Sequence, residues 1–396
     1  IWRKALKIFM PERINKMKII AFYLPQFHNI PENDEWWGDG FTEWVNVKKA
    51  KPIFDGHNQP RVPLNHNYYN LLDDDVKIWQ ADLAKKYGVY GFCYYHYWFD
   101  GKLLLEKPME QMLENKKVDI PFCICWANEP WTRAWVGETK TLIPQKYGSK
   151  KEWKEHFDYL LPFFKDPRYI LDEGKPLVVI YRPEIIDVLN DMLDYWNELA
   201  KNAGFEGLKF AYQSAGMDEL PKNKRNDSRF DYDIEFQPAY AFTQLNKNTL
   251  PVLRKIKKVV SDFVEKRTGL TLRFIGSGKV AALNRVDYDK AWETILNTTP
   301  ESIINVPGAF VDWDNTPRHG ERGRVYIGKT PEKFEKYLSE QIRRAKNVYH
   351  KDMIFMYAWN EWAEGGYLEP DQTSGYAYLE AIKKALDENG ENPWQH

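Results

Sequence analysis

Eight apolar runs of strand length recur along the chain, and they constrain its fold more than any other feature. They are KIIAFYLPQFH (18–28), YGFCYYHYW (90–98), PFCICWANEPW (121–131), PLVVIYRPE (176–184), LKFAYQSAG (208–216), FDYDIEFQP (230–238), VPGAFVDWD (306–314) and MIFMYAWNEW (353–362). Near-continuous hydrophobicity, rather than alternation, marks strands buried on both faces, as in a parallel sheet covered by helices. Segments of helical period lie between the runs. Asp73 to Asp75 open one, with Val76, Trp79, Leu83 and Tyr87 as its apolar face and Gly88 as its stop. Thr330 and Pro331 read as N-cap and first residue of another, with Phe334, Tyr337, Leu338 and Ala345 inward. A last helix turns Tyr378, Leu379, Ile382 and Leu386 inward and stops before Gly390. This alternation predicts an α/β fold, a single (β/α)8 TIM barrel with long βα loops over its C-terminal face. The main rival, a doubly wound open sheet, calls for a Gly-rich turn after the first strand, and none stands there.

The barrel is expected over residues 18–390, after an N-terminal extension (1–17) and before a short tail (391–396). Residues 29–72 are too long for a simple connection and read as a large loop over the barrel mouth. Residues 239–304 add a basic amphipathic segment, LRKIKKVVSDFVEKR (253–267), read as a solvated helix face. The first sixteen residues, basic and partly amphipathic, read as a leader-like extension before Met17 rather than a membrane-surface helix, and they lack a signal-peptide pattern.

With 56 basic and 57 acidic residues, the chain has no general attraction for nucleic acid or an anionic membrane. No window approaches eighteen consecutive apolar residues, so no transmembrane segment is expected. Cys93, Cys123 and Cys125 lie inside apolar runs, an odd number without a zinc spacing. They favour a reducing, cytoplasmic setting. No metal or cofactor is called for, and the oligomeric state is left open.

Aromatic residues make up 15% of the chain, 16 of them tryptophan, more than a core alone requires. Flat aromatic faces suit sugar rings. The polar residues gather at strand ends, where a barrel carries its active site. Tyr23, Gln26 and His28 close the first run, and Tyr95, His96 and Trp98 the second. Trp126, Asn128, Glu129 and Trp131 close the third, Glu235 and Gln237 the sixth, and Asp312, Trp313 and Asp314 the seventh. Trp359, Asn360, Glu361, Trp362 and Glu364 close the last, with Glu369 just beyond, and Glu43 and Trp44 stand in the mouth loop. Together they describe a polar, aromatic-lined cleft for an oligo- or polysaccharide.

Paired carboxylates at one bond are the equipment of glycoside cleavage: one protonates the leaving oxygen while the other supports the charge growing at the anomeric carbon. Glu361 and Glu364 are the expected catalytic pair, and their proximity raises one pKa. Other motifs carry less. GSGKVA (276–281) has Val280 where a phosphate loop needs Ser or Thr. DYD (231–233) and DWD (312–314) match the Asp-x-Asp tripeptide of many glycosyltransferases.

AFYLPQFHNIPENDEWWGDGFTEWVNV, GFCYYHYWF, CWANEPWTRAW, WDNTPR and WNEWAEGGYLEP, in this order, resemble the WbsX-type proteins, often labelled glycosyltransferases, with a domain similar to glycoside hydrolase family 99. NEWAEG is similar to the NEWHEG element of the family 99 endo-α-mannosidases and mannanases, with Ala363 in place of histidine, and Glu369 and Pro370 match the closing EP. The resemblance implies a retaining route in which Glu361 deprotonates the sugar 2-hydroxyl to give a 1,2-anhydro sugar and Glu364 serves as general acid/base. A retaining, endo-acting glycoside hydrolase on a bacterial polysaccharide is therefore the first expectation. A glycosyltransferase of O-antigen or capsule assembly is the second, and a sugar-binding protein without catalysis the third.

Overall fold

The computed structural model describes residues 16–132, 141–215, 229–247 and 283–395. Each of the eight apolar runs contains or overlaps one strand of a parallel barrel. The strands are β1 Lys18–Tyr23, β2 Gly91–Phe99, β3 Phe122–Trp126, β4 Lys175–Ile180, β5 Lys209–Ser214, β6 Tyr232–Glu235, β7 in two pieces, Asn305–Val306 and Gly308–Phe310, and β8 Met353–Tyr357. β1 pairs with β2 on one side and β8 on the other. The ring closes through β7. Its first piece pairs with β6 (Ile234 with Val306) and its second with β8 (Ala309 with Met356). Closure satisfies backbone groups that an open edge would leave unpaired.

The helices in chain order are α1 Pro31–Trp37, α2 Glu43–Lys49, α3 Asp74–Lys86, α4 Lys107–Glu114, α5 Lys150–Phe164, α6 Leu189–Asn202, α7 Ala239–Lys247, α8 Tyr288–Asn297, α9 Thr316–His319, α10 Pro331–Arg344 and α11 Ala377–Glu388. Caps fall where the sequence places them: Asp73 accepts from the Asp75 amide, and Thr330 from the Lys333 amide. The inward face of α3 differs from the expected one. Lys77 and Gln80 are buried while Val76 and Trp79 are half-buried. Each buried polar group has a partner: Lys77 Nζ donates to the Leu71 carbonyl (2.8 Å), and Gln80 bonds Tyr23 and Glu369.

Phe22 in the barrel interior meets the rings of Tyr95, Phe236 and Phe355 at centroid distances of 5.6, 5.5 and 5.6 Å. These rings form an aromatic floor below the mouth. The segment 29–72 carries α1 and α2, and the expected tail is fastened to the barrel, with Trp394 Nε1 donating to the Val89 carbonyl. Residues 1–15 of the expected extension, the basic segment 253–267 and the 276–281 motif lie outside the described residues. No helix among the described residues is long and apolar enough to cross a membrane.

Where β7 passes β6 the backbones touch. A Cβ on Gly308 would stand 1.9 Å from the Glu235 carbonyl oxygen, so only glycine permits this closure. Gly308→Ala is expected to destabilise the protein by about 2 kcal/mol or more, read as a lower thermal midpoint. An unchanged midpoint would show that the strands need not approach so closely.

Candidate active site

A cavity of about 360 Å³ opens at the C-terminal ends of the strands, within the range of ligand sites. Of the residues expected from sequence, Gln26, Tyr95, Glu129, Trp131, Trp313, Glu361 and Glu364 line it. Strand alternation explains β2: Tyr95 and Tyr97 point inward, and Gln26 Nε2 donates to the Tyr97 hydroxyl (3.2 Å).

Glu361 and Glu364 follow β8 and share one cation, Arg318 of α9. Its Nη1 lies 2.5 Å from Glu364 Oε1 and its Nη2 3.5 Å from Glu361 Oε2. The Tyr357 hydroxyl donates to the other Glu364 oxygen. Gly366 makes room for that tyrosine, since a Cβ there would fall 2.2 Å from its ring. Burial, joined by the charge of Glu364, pushes the Glu361 carboxyl up to about 8, and Arg318 opposes the shift. Asn360 anchors the segment, accepting from the Leu24 amide and donating to its carbonyl (2.8 and 3.0 Å). It therefore orients the glutamates through the backbone rather than by touching a carboxylate. Ala363 is fully buried.

The structure places the other residues expected to touch ligand outside the cavity lining. His96, Trp98 and Trp126 sit on the outward face of the sheet, against α5 and α6. His96 and His156 meet at 2.9 Å, Trp98 stacks on His156 at 4.5 Å, and Trp126 packs on Trp196. Burial holds His96 down at about 3, hence neutral. Glu235 also faces outward, its carboxylate accepting from Tyr349, with burial pushing it up to about 8. Tyr23, Trp362 and Glu369 belong to a buried network behind the cavity wall. Glu369 accepts from Gln80, Tyr69 and Trp362 at 2.7, 2.8 and 2.6 Å, and Tyr23 donates to Gln80. Trp44 packs on Phe27 and Trp362, and Trp359 on Phe92. His28 is buried with its Nδ1 against the Pro25 carbonyl, and Gln237 accepts from the Ala241 amide. Asn128 bridges to the backbone of Arg182, whose side chain meets Glu129. Glu43 lies behind Arg318, 3.1 Å from it.

The two Asp-x-Asp tripeptides are occupied by protein groups. Asp314 accepts from His57 (2.8 Å), Gln59 (2.7 Å) and Thr316, while Arg61 and Lys329 hold Asp312. Asp231 accepts from the Phe210 amide, and Asp233 from Asn305. Arg318, Tyr97, Tyr181, Tyr357, Asn33, Trp37 and Phe236 were absent from the expected set yet line the cavity. WDNTPR carried Arg318 in view, and the alternation of Tyr95 with Tyr97 would have found the latter.

A family model described as Glycosyltransferase WbsX matches residues 19–382. A protein named "Uncharacterized protein WxcX" from Xanthomonas campestris pv. campestris (strain ATCC 33913) is 35% identical over 382 residues, covering 96% of this chain and 51% of that protein. Its counterpart in strain B100 is 35% identical over 371 residues, covering 93% and 49%. The chain thus spans about half the length of these relatives. Among solved structures, the fold is similar to the GH99 endo-alpha-mannosidase from Bacteroides thetaiotaomicron (TM-score 0.50, 16% identity, 93% of this chain and 96% of that one). It is also similar to a "Glycoside hydrolase-like protein" (TM-score 0.54, 12% identity, 96% of each). At these identities the likeness bears on the fold, a (β/α)8 barrel.

Glu235, Glu361 and Glu369 are raised to about 8, 8 and 7, so the folded state binds protons that the unfolded chain releases above about 4.5. Their contribution to stability is full below that point and lost as pH rises towards 8. Glu235→Gln is expected to leave the thermal midpoint near pH 5 almost unchanged and to raise it near pH 8. Equal effects at both pH values would exclude Glu235 as a titrating group.

Proposed function

The chain belongs to the WbsX family, and on that premise we propose that it is a carbohydrate-active enzyme, a retaining, endo-acting glycoside hydrolase on a bacterial polysaccharide. The observation carrying this reading is the glutamate pair on one cavity, reached by a single guanidinium and walled by Trp37, Trp131 and Trp313. The indole faces suit the C–H faces of a sugar chain, and Gln26, Glu129 and the tyrosine hydroxyls suit its hydroxyls.

In the proposed reaction Glu361 takes the proton of the 2-hydroxyl as O2 attacks C1. The glycosidic bond breaks, and Glu364 protonates the leaving oxygen. Glu364 then takes a proton from water, whose oxygen attacks C1 and opens the 1,2-anhydro ring, while O2 recovers its proton from Glu361. Two inversions at C1 give net retention. A base with high proton affinity suits the weakly acidic 2-hydroxyl, and burial supplies that affinity to Glu361.

A glycosyltransferase is the second reading, favoured by the family description. The engagement of Asp312 and Asp314 by Arg61, Lys329, His57 and Gln59 weighs against their holding a metal-bound nucleotide sugar.

The test is mass spectrometry of products from α-mannans and bacterial surface polysaccharides incubated without nucleotide sugars. New oligosaccharides are expected from the unmodified protein, with Glu361→Gln and Glu364→Gln each at least about 100-fold slower. Activity dependent on an added nucleotide sugar would establish the transferase, and tight oligosaccharide binding without turnover a sugar-binding protein. On the substrate so found, kcat/KM is expected to rise with pH up to about 8, as Glu361 ionises to its basic form. A fall over the same range would give Glu361 the acid role.

A further inference from the structure

We infer that Glu43 and Arg318 are positioning residues for the glutamate pair: Glu43, carried on α2 of the mouth loop, orients the Arg318 guanidinium so that it grips Glu364 and faces Glu361. This rests on the reading of Glu361 and Glu364 as the reacting pair. The geometry is a chain of four titratable groups, three of them buried and Glu364 partly so. Glu43 Oε2 lies 3.1 Å from Arg318 Nη2 and 3.3 Å from its Nε, and it also accepts from Asn46 Nδ2 at 3.4 Å. From the same guanidinium Nη1 reaches Glu364 at 2.5 Å, and Nη2 stands 3.5 Å from Glu361. The side chains of Glu43 and Arg318 are 0% and 7% exposed, so water screens this chain little.

Lysine could not reproduce the arrangement, because an ammonium is a point charge while the planar guanidinium presents separate N–H groups to separate carboxylates. The Glu43 backbone is fixed independently of Arg318: its amide donates to the Gln26 carbonyl at 3.1 Å, and Trp44 beside it packs on Phe27 in the loop core. The loop that supplies Asn33 and Trp37 to the cavity wall therefore also supplies the carboxylate that aims the arginine.

Other groups also face the pair. Tyr357 comes from β8, Tyr95 and Tyr97 from β2, and Tyr181 from the end of β4. His319 of α9 lies close enough to feel the Glu364 charge. Of these neighbours, Glu43 and Arg318 act on Glu361 with opposite sign. The Glu43 charge makes Glu361 hold its proton more tightly, and the Arg318 charge makes it hold it less tightly.

The test needs no substrate: a pH titration of the full chain carrying carbon-13 at glutamate side-chain carboxyls, with the Glu361 resonance assigned by its loss in Glu361→Gln. Arg318→Met is expected to tighten proton binding at Glu361 by about tenfold or more, and Glu43→Gln to loosen it by a smaller factor. Arg318→Lys is expected to fall between the unmodified protein and Arg318→Met. A residue that merely supported the fold would not move the midpoint in opposite directions. Unchanged midpoints in Arg318→Met and Glu43→Gln, or shifts of the same sign, would overturn the inference. If Arg318→Met fails to fold, Arg318→Lys and Glu43→Gln still decide it through the same opposite signs. Because the titration is independent of turnover, opposite shifts in a protein that cleaves no polysaccharide would sink the hydrolase reading and leave the positioning intact.

Discussion

The contact of β6 with β7 at Gly308 is the constraint on which the rest of this structure depends. A parallel barrel must pair every strand on both sides without leaving an open edge, and here the seventh strand does so in two pieces, divided at Pro307. The first piece satisfies β6 and the second β8. Closure brings the ends of all eight strands to one rim. The loops after β1, β3, β7 and β8 can then converge on one volume, as catalytic groups from distant parts of a chain must.

Below that rim the interior is aromatic, and its physical effect is electrostatic. Phe22, Tyr95, Phe236, Phe355 and Tyr357 form a floor with little capacity to stabilise charge. Carboxylates placed on it either hold a proton or acquire a cation. Burial raises the proton affinity of Glu361, and Arg318, which lies 2.5 Å from Glu364 and 3.5 Å from Glu361, opposes that rise. The DWD segment shows the same rule with a different outcome. Asp314 lies among His57, Gln59, Thr316 and Arg61, and its carboxyl is held well below the usual range despite burial, with the His57 hydrogen bond and Arg61 the leading opposing causes.

The strands were legible because burial on both faces leaves an unbroken apolar signature, and all eight runs contain or overlap a strand. The capped starts of α3 and α10 were legible because an N-cap needs a particular side chain at a particular place. The face of α3 was not, because Lys77 and Gln80 are buried only by virtue of partners far away in sequence. The candidate site was legible as a region more than as a list. Polar and aromatic residues at strand ends pointed to the mouth, but successive strand residues face opposite ways, and His96, Trp98 and Trp126 belong to the outer layer. Arg318 went unread for a simpler reason: an arginine in a loop looks solvated until the carboxylates around it are known.

Glu43 and Arg318 lie 275 residues apart in sequence and share one ion pair. Segment 29–72 is thus a wall of the cleft and half of its internal charge balance at once. Exchanging that segment between relatives to alter what the cleft accepts would import a carboxylate, or lose one, opposite an arginine that stays behind. Divergence of the mouth loop is bound by a rule that its place in the sequence conceals: position 43 can change only in step with position 318.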